Sequence, residues 1–275
     1  MSGIFGVVSK DDCSEILFYG TDYHSHLGTE YGGMAVLGDE FYRQIHNISQ
    51  TQFKSKFYDD YKKMKGNKGI GVISAFDEQP IYLKSKFGPF CIVTNGFIEN
   101  AEELALELIK KGNSFSEFSR SVVNTTELVA KLITQEQSLI EGIEKVFDII
   151  KGSCSMLLLN KDGIYAARDR FGYSPLVVGK SSSAWAVTSE TSAFTNIGFE
   201  VVKYLGPGEI VLINENGMVS KKLSGKTNQI CAFLWIYTGF PASNYEGINV
   251  EIVRERCGRY LAKQDKDLEI DFVSG

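Results

Sequence analysis

The sequence has few features that would mark a nucleic-acid-binding, secreted or membrane protein. Its formal net charge is -5 and its pI is near 5.4, and no stretch combines clustered Lys and Arg with interleaved aromatic residues. A nucleic-acid surface needs such clusters to displace counterions, so this class of protein is not expected. The chain has no apolar run of about 18 residues and no charged segment followed by a short apolar one, which argues against a membrane span and a secretory signal.

The cysteines give no metal or disulfide pattern. They are five in number, scattered and without close pairing: Cys13, Cys91, Cys154, Cys231 and Cys257. Neither a zinc site nor a disulfide framework is therefore predicted, and a reducing compartment is favoured. We expect a cytoplasmic protein without a metal or a cofactor. The hydrophobic fraction of 43% is ordinary and is compatible with one large domain or two smaller ones.

The order of the predicted elements is strands, then helices, then strands. The first strands are predicted at residues 3–8, 34–37, 69–75, 81–84 and 91–94, with a helix at 14–21 and a helix or extended surface arm at 51–65. Helices at 100–111, 126–134 and 141–150 precede strands at 154–160, 164–168, 176–180, 184–189 and 209–213. This order indicates two sheets with helices outside them rather than alternating βαβ units.

The character of the sequence changes near residue 230, which suggests a boundary between units at 1–229 and 230–275. An aromatic run at 233–237 is interpreted as interdomain core, and an amphipathic helix is predicted at 250–263. Residues 268–273 have the pattern of a first strand of another domain.

Short motifs along the chain occur in the order found in one enzyme family. They are Ser2-Gly3-Ile4-Phe5-Gly6, His26-Leu27-Gly28-Thr29-Glu30, Thr94-Asn95-Gly96, Asn124-Thr125-Thr126-Glu127, Arg168-Asp169 with Pro175-Leu176, and Pro207-Gly208-Glu209. Together they resemble class II glutamine amidotransferases. The segments at 245–250 and 254–262 are similar to the crossover into the phosphoribosyltransferase domain of glutamine phosphoribosylpyrophosphate amidotransferases, which serve purine nucleotide synthesis.

The resemblance implies an α+β fold, a four-layer αββα sandwich of two mainly antiparallel sheets of the N-terminal-nucleophile hydrolase type. It also implies that residues 230–275 hold the crossover helix and the truncated beginning of a phosphoribosyltransferase-like domain. The expected partners are glutamine or a related small amide and a phosphoribosyltransferase domain in the full-length chain. A homo-oligomeric state is left open.

The resemblance assigns catalysis to Ser2, Asn95 and Gly96. Ser2 stands where the family has a cysteine nucleophile, whose own α-amine acts as base once Met1 is removed. The side-chain amide of Asn95 and the backbone N–H of Gly96 would stabilise the oxyanion. Taken without its context, Asn-Gly is instead typical of a type I′ hairpin turn.

The resemblance assigns substrate binding to Ser74, Thr125 and His26. Ser74 stands where the family has an arginine for the glutamine carboxylate, and Thr125 where it has an aspartate for the ammonium group. A neutral hydroxyl cannot replace a guanidinium fork, so free glutamine is expected to bind poorly. Arg168, Arg170 and Asp77 are interpreted as packing or domain-interface residues. His24 and His26 read as hydrogen-bonding loop residues, with metal ligation as the alternative.

Three functions therefore stay open from the sequence. The chain is a glutaminase half that supplies ammonia, a non-catalytic amidotransferase-like domain with a scaffold, regulatory or ligand-binding role, or a hydrolase for an amide without a zwitterionic end.

Overall fold

The computed structural model describes residues 2–116, 118–119, 122–265, 268–272 and 274. In chain order the strands are β1 (Gly3–Ser9), β2 (Tyr31–Leu37), β3 (Phe41–Asn47), β4 (Lys68–Ser74), β5 (Ile81–Ser85), β6 (Gly88–Ile98), β7 (Phe118–Ser119), β8 (Val122–Val123), β9 (Gly152–Asn160), β10 (Gly163–Ala167), β11 (Val177–Lys180), β12 (Ala184–Thr188), β13 (Glu200–Tyr204), β14 (Ile210–Asn214), β15 (Gly217–Lys222), β16 (Asn244–Tyr245) and β17 (Ile248–Asn249). The α-helices are α1 (Ser14–Asp22), α2 (Phe53–Lys63), α3 (Ala101–Lys110), α4 (Thr125–Ile133), α5 (Leu139–Ile149), α6 (Ser192–Asn196) and α7 (Val250–Gln264).

Two antiparallel sheets form the centre of the molecule. The first has the strand order β13-β11-β12-β1-β4-β2-β3, and the second has the order β15-β14-β10-β9-β6-β5. The layer between them is packed with aliphatic side chains from both sheets, including Ile4, Val72, Leu157 and Ile164. Strand β1 lies in the middle of its sheet and is buried along its whole length, which is why its sequence is a continuous apolar run rather than an alternating one.

Helices cover the outer face of each sheet. Helices α1 and α2 lie on the first sheet, where Leu17, Phe18 and Phe57 share a core with residues of β1 and β2. Helices α3, α4 and α5 lie on the second sheet and bury a separate core. The fold is therefore the four-layer αββα sandwich of two antiparallel sheets that the sequence predicts.

The structure differs from the sequence prediction mainly at the sheet edges. Residues 51–65 contain helix α2, so the first of the two predictions for this segment, a helix rather than an extended surface arm, is confirmed. Strands β3, β13 and β15 were not predicted, and each is an edge strand with few buried side chains. Residues 268–272 form no strand, while residue 273 lies outside the described residues.

The segment after residue 230 has a small core of its own and contacts the sandwich through hydrogen bonds such as that between Tyr245 and Glu190. Leu234, Tyr245 and Val250 are buried together, whereas Phe233, Ile236 and Tyr237 of the aromatic run are 57%, 57% and 76% exposed. Most of this run, including the turn of π-helix at Leu234–Thr238, is thus exposed in this chain, and its role as interdomain core stays a prediction. In the described parts of the chain, no helix combines the length and apolarity needed to cross a membrane.

Candidate active site

Ser2, Ser74, Gly96 and Thr125, all predicted as site residues, line one cavity of about 320 Å³. This volume suits a small ligand. The other lining residues are Phe76, Asp77, Gln79, Thr94, Phe97, Ile98 and Val123. Phe76 and Phe97 are 62% and 69% exposed, so they stand at the solvent side of the cavity.

Strand register brings Ser2 and Ser74 together. Strands β1 and β4 are antiparallel with Gly3 opposite Ile73, so that Ser2 and Ser74 are the residues next to the last pair of the ladder. Ser2 directly precedes the central strand of the first sheet and is 9% exposed. Its position is therefore fixed by one of the most deeply buried strands of the molecule.

Asn95 reaches Ser2 from the second sheet. The backbone N–H of Ser2 donates a hydrogen bond to Oδ1 of Asn95 at 3.1 Å, and Asn95 is 5% exposed. Because an N–H group can only donate, the amide oxygen faces Ser2. The NH₂ group of Asn95 is then left as a donor beside the nucleophile.

Gly96 lies within strand β6, opposite Cys154 of strand β9. The hairpin-turn interpretation of Asn95-Gly96 is therefore wrong. A Cβ atom at position 96 would lie 2.0 Å from the carbonyl oxygen of Ser153, so only glycine allows the two strands to approach this closely.

Asp77 brings a carboxylate to the cavity that the sequence reading did not place there. Its Oδ2 accepts hydrogen bonds from both the backbone N–H and the hydroxyl of Thr125. The hydroxyl of Ser74 accepts from the N–H of Asp77 at 3.1 Å, which folds the chain back after β4. Asp77 thus has the structural contacts of the predicted packing role, and it also lines the cavity. The signal was the Ser-x-x-Asp spacing, which is typical of a side-chain-capped turn.

His26 is not among the described residues that line this cavity. Its Nε2 lies 2.6 Å from Oε2 of Glu190, and its ring centroid lies 5.8 Å from that of Phe240. Glu190 also accepts from the backbone N–H of Phe240 and, at 3.0 Å, from the hydroxyl of Tyr245. Burial raises the pKa of Glu190, but its hydrogen bond and charge interaction with His26 outweigh this effect and the net pKa is lowered. The structure connects His26 to the segment after residue 230 instead of to the predicted substrate site.

His24 is a buried, neutral histidine. Its Nδ1 lies 2.9 Å from the carbonyl oxygen of Gly20, and its Nε2 lies 2.9 Å from the hydroxyl of Thr188. A carbonyl can only accept, so Nδ1 carries the proton. Nε2 and the carbonyl oxygen of Glu190, 3.0 Å from the Thr188 hydroxyl, are two acceptors that share its single proton. Burial lowers the pKa of His24 to about 4. His24 is therefore a hydrogen-bonding residue, as the first of the two interpretations in the sequence analysis predicts.

No described cysteine lines the cavity in place of the family's thiol. Cys91 and Cys154 lie on the neighbouring strands β6 and β9, but both are fully buried in the packed layers on either side of the second sheet. Burial raises the pKa of Cys91 to about 12 and that of Cys154 further. Neither thiol can therefore act as a thiolate nucleophile near neutral pH.

Comparison with known proteins agrees with the fold. The family described as "Glutamine amidotransferase domain" matches residues 69–196. The amidophosphoribosyltransferase of Methanocaldococcus jannaschii is 30% identical, with coverage of 100% of this chain and 63% of the relative. That of Bacillus subtilis is also 30% identical, with coverage of 99% and 58%.

A solved structure of glutamine phosphoribosylpyrophosphate amidotransferase from B. subtilis superposes with a TM-score of 0.87 at 29% identity, and covers 97% of this chain and 59% of that one. The chain thus spans about three-fifths of the length of these relatives. The chain is an amidophosphoribosyltransferase-like glutamine amidotransferase domain.

Proposed function

We propose that this domain hydrolyses a small primary amide, glutamine or a related compound, with Ser2 as an N-terminal nucleophile. The observation that carries the proposal is the hydrogen bond between Ser2 and Asn95 at a cavity that Ser2 and Gly96 both line. In the full-length protein, the released ammonia would serve a phosphoribosyltransferase domain.

The chemistry needs Met1 to be removed, because only then does Ser2 carry an amine. The amine takes the proton of the Ser2 hydroxyl as Oγ forms a bond to the amide carbonyl carbon, and the amine then donates this proton to the departing ammonia. Water hydrolyses the resulting ester, which releases the carboxylic acid and regenerates Ser2. Asn95 and Gly96 supply donors for the negative charge on the carbonyl oxygen.

The test combines mass spectrometry of the N-terminus with an ammonia-release assay on protein that begins at Ser2. We expect turnover of a primary amide, loss of turnover in Ser2→Ala, and no turnover when Met1 is retained. A Met-free protein that releases no ammonia from glutamine, glutaramate or aminoalkyl amides would contradict the proposal.

The second candidate is an amide-binding domain without catalysis. It is favoured by the hydroxyl at Ser2, which is far less ionised than a thiol near neutral pH, and by the neutral side chains of Ser74 and Thr125. Stoichiometric ligand binding by Met-free protein without ammonia release would select this candidate.

Two further expectations belong to the proposal. We infer a unit boundary near residue 230, because the following segment contacts the sandwich through a few residues such as Tyr245 and has its own small cluster. The cytoplasm is the proposed location, since all five cysteines are free and the curated relatives are amidophosphoribosyltransferases.

A further inference from the structure

Asp77 is a buried carboxylate on the cavity wall. It is 8% exposed, and the hydrogen bonds recorded to its carboxylate come from Thr125 and involve Oδ2. In the part of the chain that the structure describes, no Lys, Arg or His forms an ion pair with Asp77. A buried charge is unfavourable unless it is paired, so this carboxylate favours a ligand that brings a positive charge.

The rest of the described wall is neutral. The hydroxyl-bearing residues Ser74, Thr94 and Thr125 line it together with the apolar Ile98 and Val123. Asp77 is the only ionisable side chain among these described lining residues. A ligand carboxylate would share a cavity of about 320 Å³ with Asp77, and the two negative charges would repel each other. The Ser74 hydroxyl accepts from the N–H of Asp77 and keeps its own proton to donate, but it has no positive charge to pair with a ligand carboxylate.

We infer that the cavity takes a primary amide that carries a protonated amine and no carboxylate, with the ammonium group held by Asp77. This inference rests on the proposed function, since it names the substrate class of the same site. The amide carbonyl lies towards Ser2 and Asn95, and the ammonium group lies towards Thr125. The free carboxylate of glutamine thereby becomes a disadvantage.

Asp77 also has a structural task, because its Oδ2 accepts from the first N–H of helix α4. An Asp77→Asn variant separates the two roles. The asparagine Oδ1 still accepts from Thr125, so the helix start keeps its partner, while the negative charge is lost. The melting temperature should therefore change little, whereas binding of a cationic ligand should weaken.

The experiment measures calorimetric affinities of the full chain for four ligands of matched length. Glutamine carries both charges, 4-aminobutanamide lacks the carboxylate, glutaramate lacks the amine, and butanamide lacks both. We expect 4-aminobutanamide to bind roughly tenfold or more tightly than butanamide and glutamine, and glutaramate to bind most weakly. Asp77→Asn should weaken 4-aminobutanamide about ten- to hundredfold and leave butanamide unchanged. Glu78→Gln, a neighbouring carboxylate that does not line the cavity, serves as the matched control.

Tighter binding of glutamine or glutaramate than of 4-aminobutanamide by the unmodified chain would overturn the inference, whatever the variant does. Equal effects of Asp77→Asn on all four ligands would also overturn it. Binding needs no free Ser2 amine, so the order of affinities can be measured on protein that retains Met1. Failure of the proposed hydrolysis, in contrast, shows only as absent ammonia release from Met-free protein.

Discussion

At the scale of single residues, the hydroxyl of Ser2 makes the site depend strongly on its neighbours. A serine is not ionised near neutral pH, so its reactivity must come from an adjacent base and from donors that stabilise the developing charge. Asn95 contributes twice, because its oxygen accepts from Ser2 and its NH₂ group is left to donate. Its loss should therefore affect orientation of the nucleophile and stabilisation of the oxyanion together.

We expect Asn95→Ala to lower the rate of amide hydrolysis by Met-free protein by about 10²- to 10³-fold. The measurement is ammonia release under single-turnover conditions. Asn113→Ala is a suitable control, since the Asn113 amide donates to the carbonyl of Leu108 at the end of helix α3, away from the cavity. An unchanged rate in Asn95→Ala would remove Asn95 from the proposed mechanism.

His24 should make folding stability depend on pH. Its pKa falls from 6.5 to about 4 on folding, so the unfolded chain binds a proton more readily. The contribution of His24 to the free energy of unfolding is therefore most favourable above about pH 6.5, decreases as pH falls, and stops decreasing below about pH 4. The pKa difference corresponds to roughly 3 kcal/mol. Urea unfolding between these limits should show a shallower decrease in His24→Asn, and identical slopes in the two proteins would contradict this assignment.

At the scale of elements, the start of helix α4 forms one wall of the cavity. Asn124 is fully buried, its Oδ1 accepts from the N–H groups of Thr126 and Glu127, and Asp77 accepts from that of Thr125. Three N–H groups that a helix start normally leaves unpaired thus have side-chain partners. The same contacts set the position of Thr125 against Asp77.

Asn124→Ala should lower the free energy of unfolding by about 2 kcal/mol, at the upper end for a helix N-cap, because Asn124 also donates to the carbonyl of Glu78. Ser138→Ala, at the partly exposed N-cap of α5, should have a smaller effect of about 1 kcal/mol. Denaturant unfolding of both variants gives the comparison. Equal decreases in the free energy of unfolding of the two variants would mean that the burial of Asn124 adds no stability.

The central strands could be predicted from the sequence, whereas three of the four edge strands of the two large sheets, β3, β13 and β15, could not. Strand β1 is a run of apolar residues because both of its faces are covered, and this pattern is readable without a structure. Strand β13 has exposed Val201 and Val202, and strand β3 has no fully buried residue, so neither has a periodic apolar face. Their strand structure comes from pairing with β11 and β2, which is tertiary information.

The sequence could indicate only those site residues that belong to short, contiguous motifs. Ser2, Ser74, Gly96 and Thr125 meet at one cavity, as ordered motifs indicated, because the sandwich joins the ends of β1 and β4 to β6 and α4. Asp77 was missed because its partner Thr125 lies 48 residues away in sequence. His26 was placed among the substrate-binding residues because the resemblance carries no distances.

At the scale of the whole molecule, Glu190 connects the sandwich to the segment after residue 230. One carboxylate contacts His26 on one side and Phe240 and Tyr245 on the other. Its lowered pKa means that its stabilising contribution is fully present above the ordinary value of 4.5 and is lost as pH falls through the lower folded value. The segment should therefore stay docked at neutral pH.

Glu190→Gln should raise chymotrypsin cleavage near Phe240 and Tyr245 roughly tenfold at neutral pH, because a charge-assisted contact is lost and local opening becomes more frequent. Mass spectrometry of the fragments measures the effect. Glu255→Gln removes an exposed ion pair with Arg259 in helix α7 and should leave cleavage unchanged. Equal rates in all three proteins would show that Glu190 does not hold the segment.

Ser2 sits at the start of the central strand of a seven-stranded sheet, so the nucleophile itself has almost no freedom to move. Accommodation of longer or bulkier compounds therefore falls to the two solvent-facing aromatic rings, Phe76 and Phe97, which can change rotamer without disturbing any buried layer. Substitutions at Phe76 and Phe97 should therefore change the length of the compounds that the cavity accepts, whereas the position of Ser2 should stay the same.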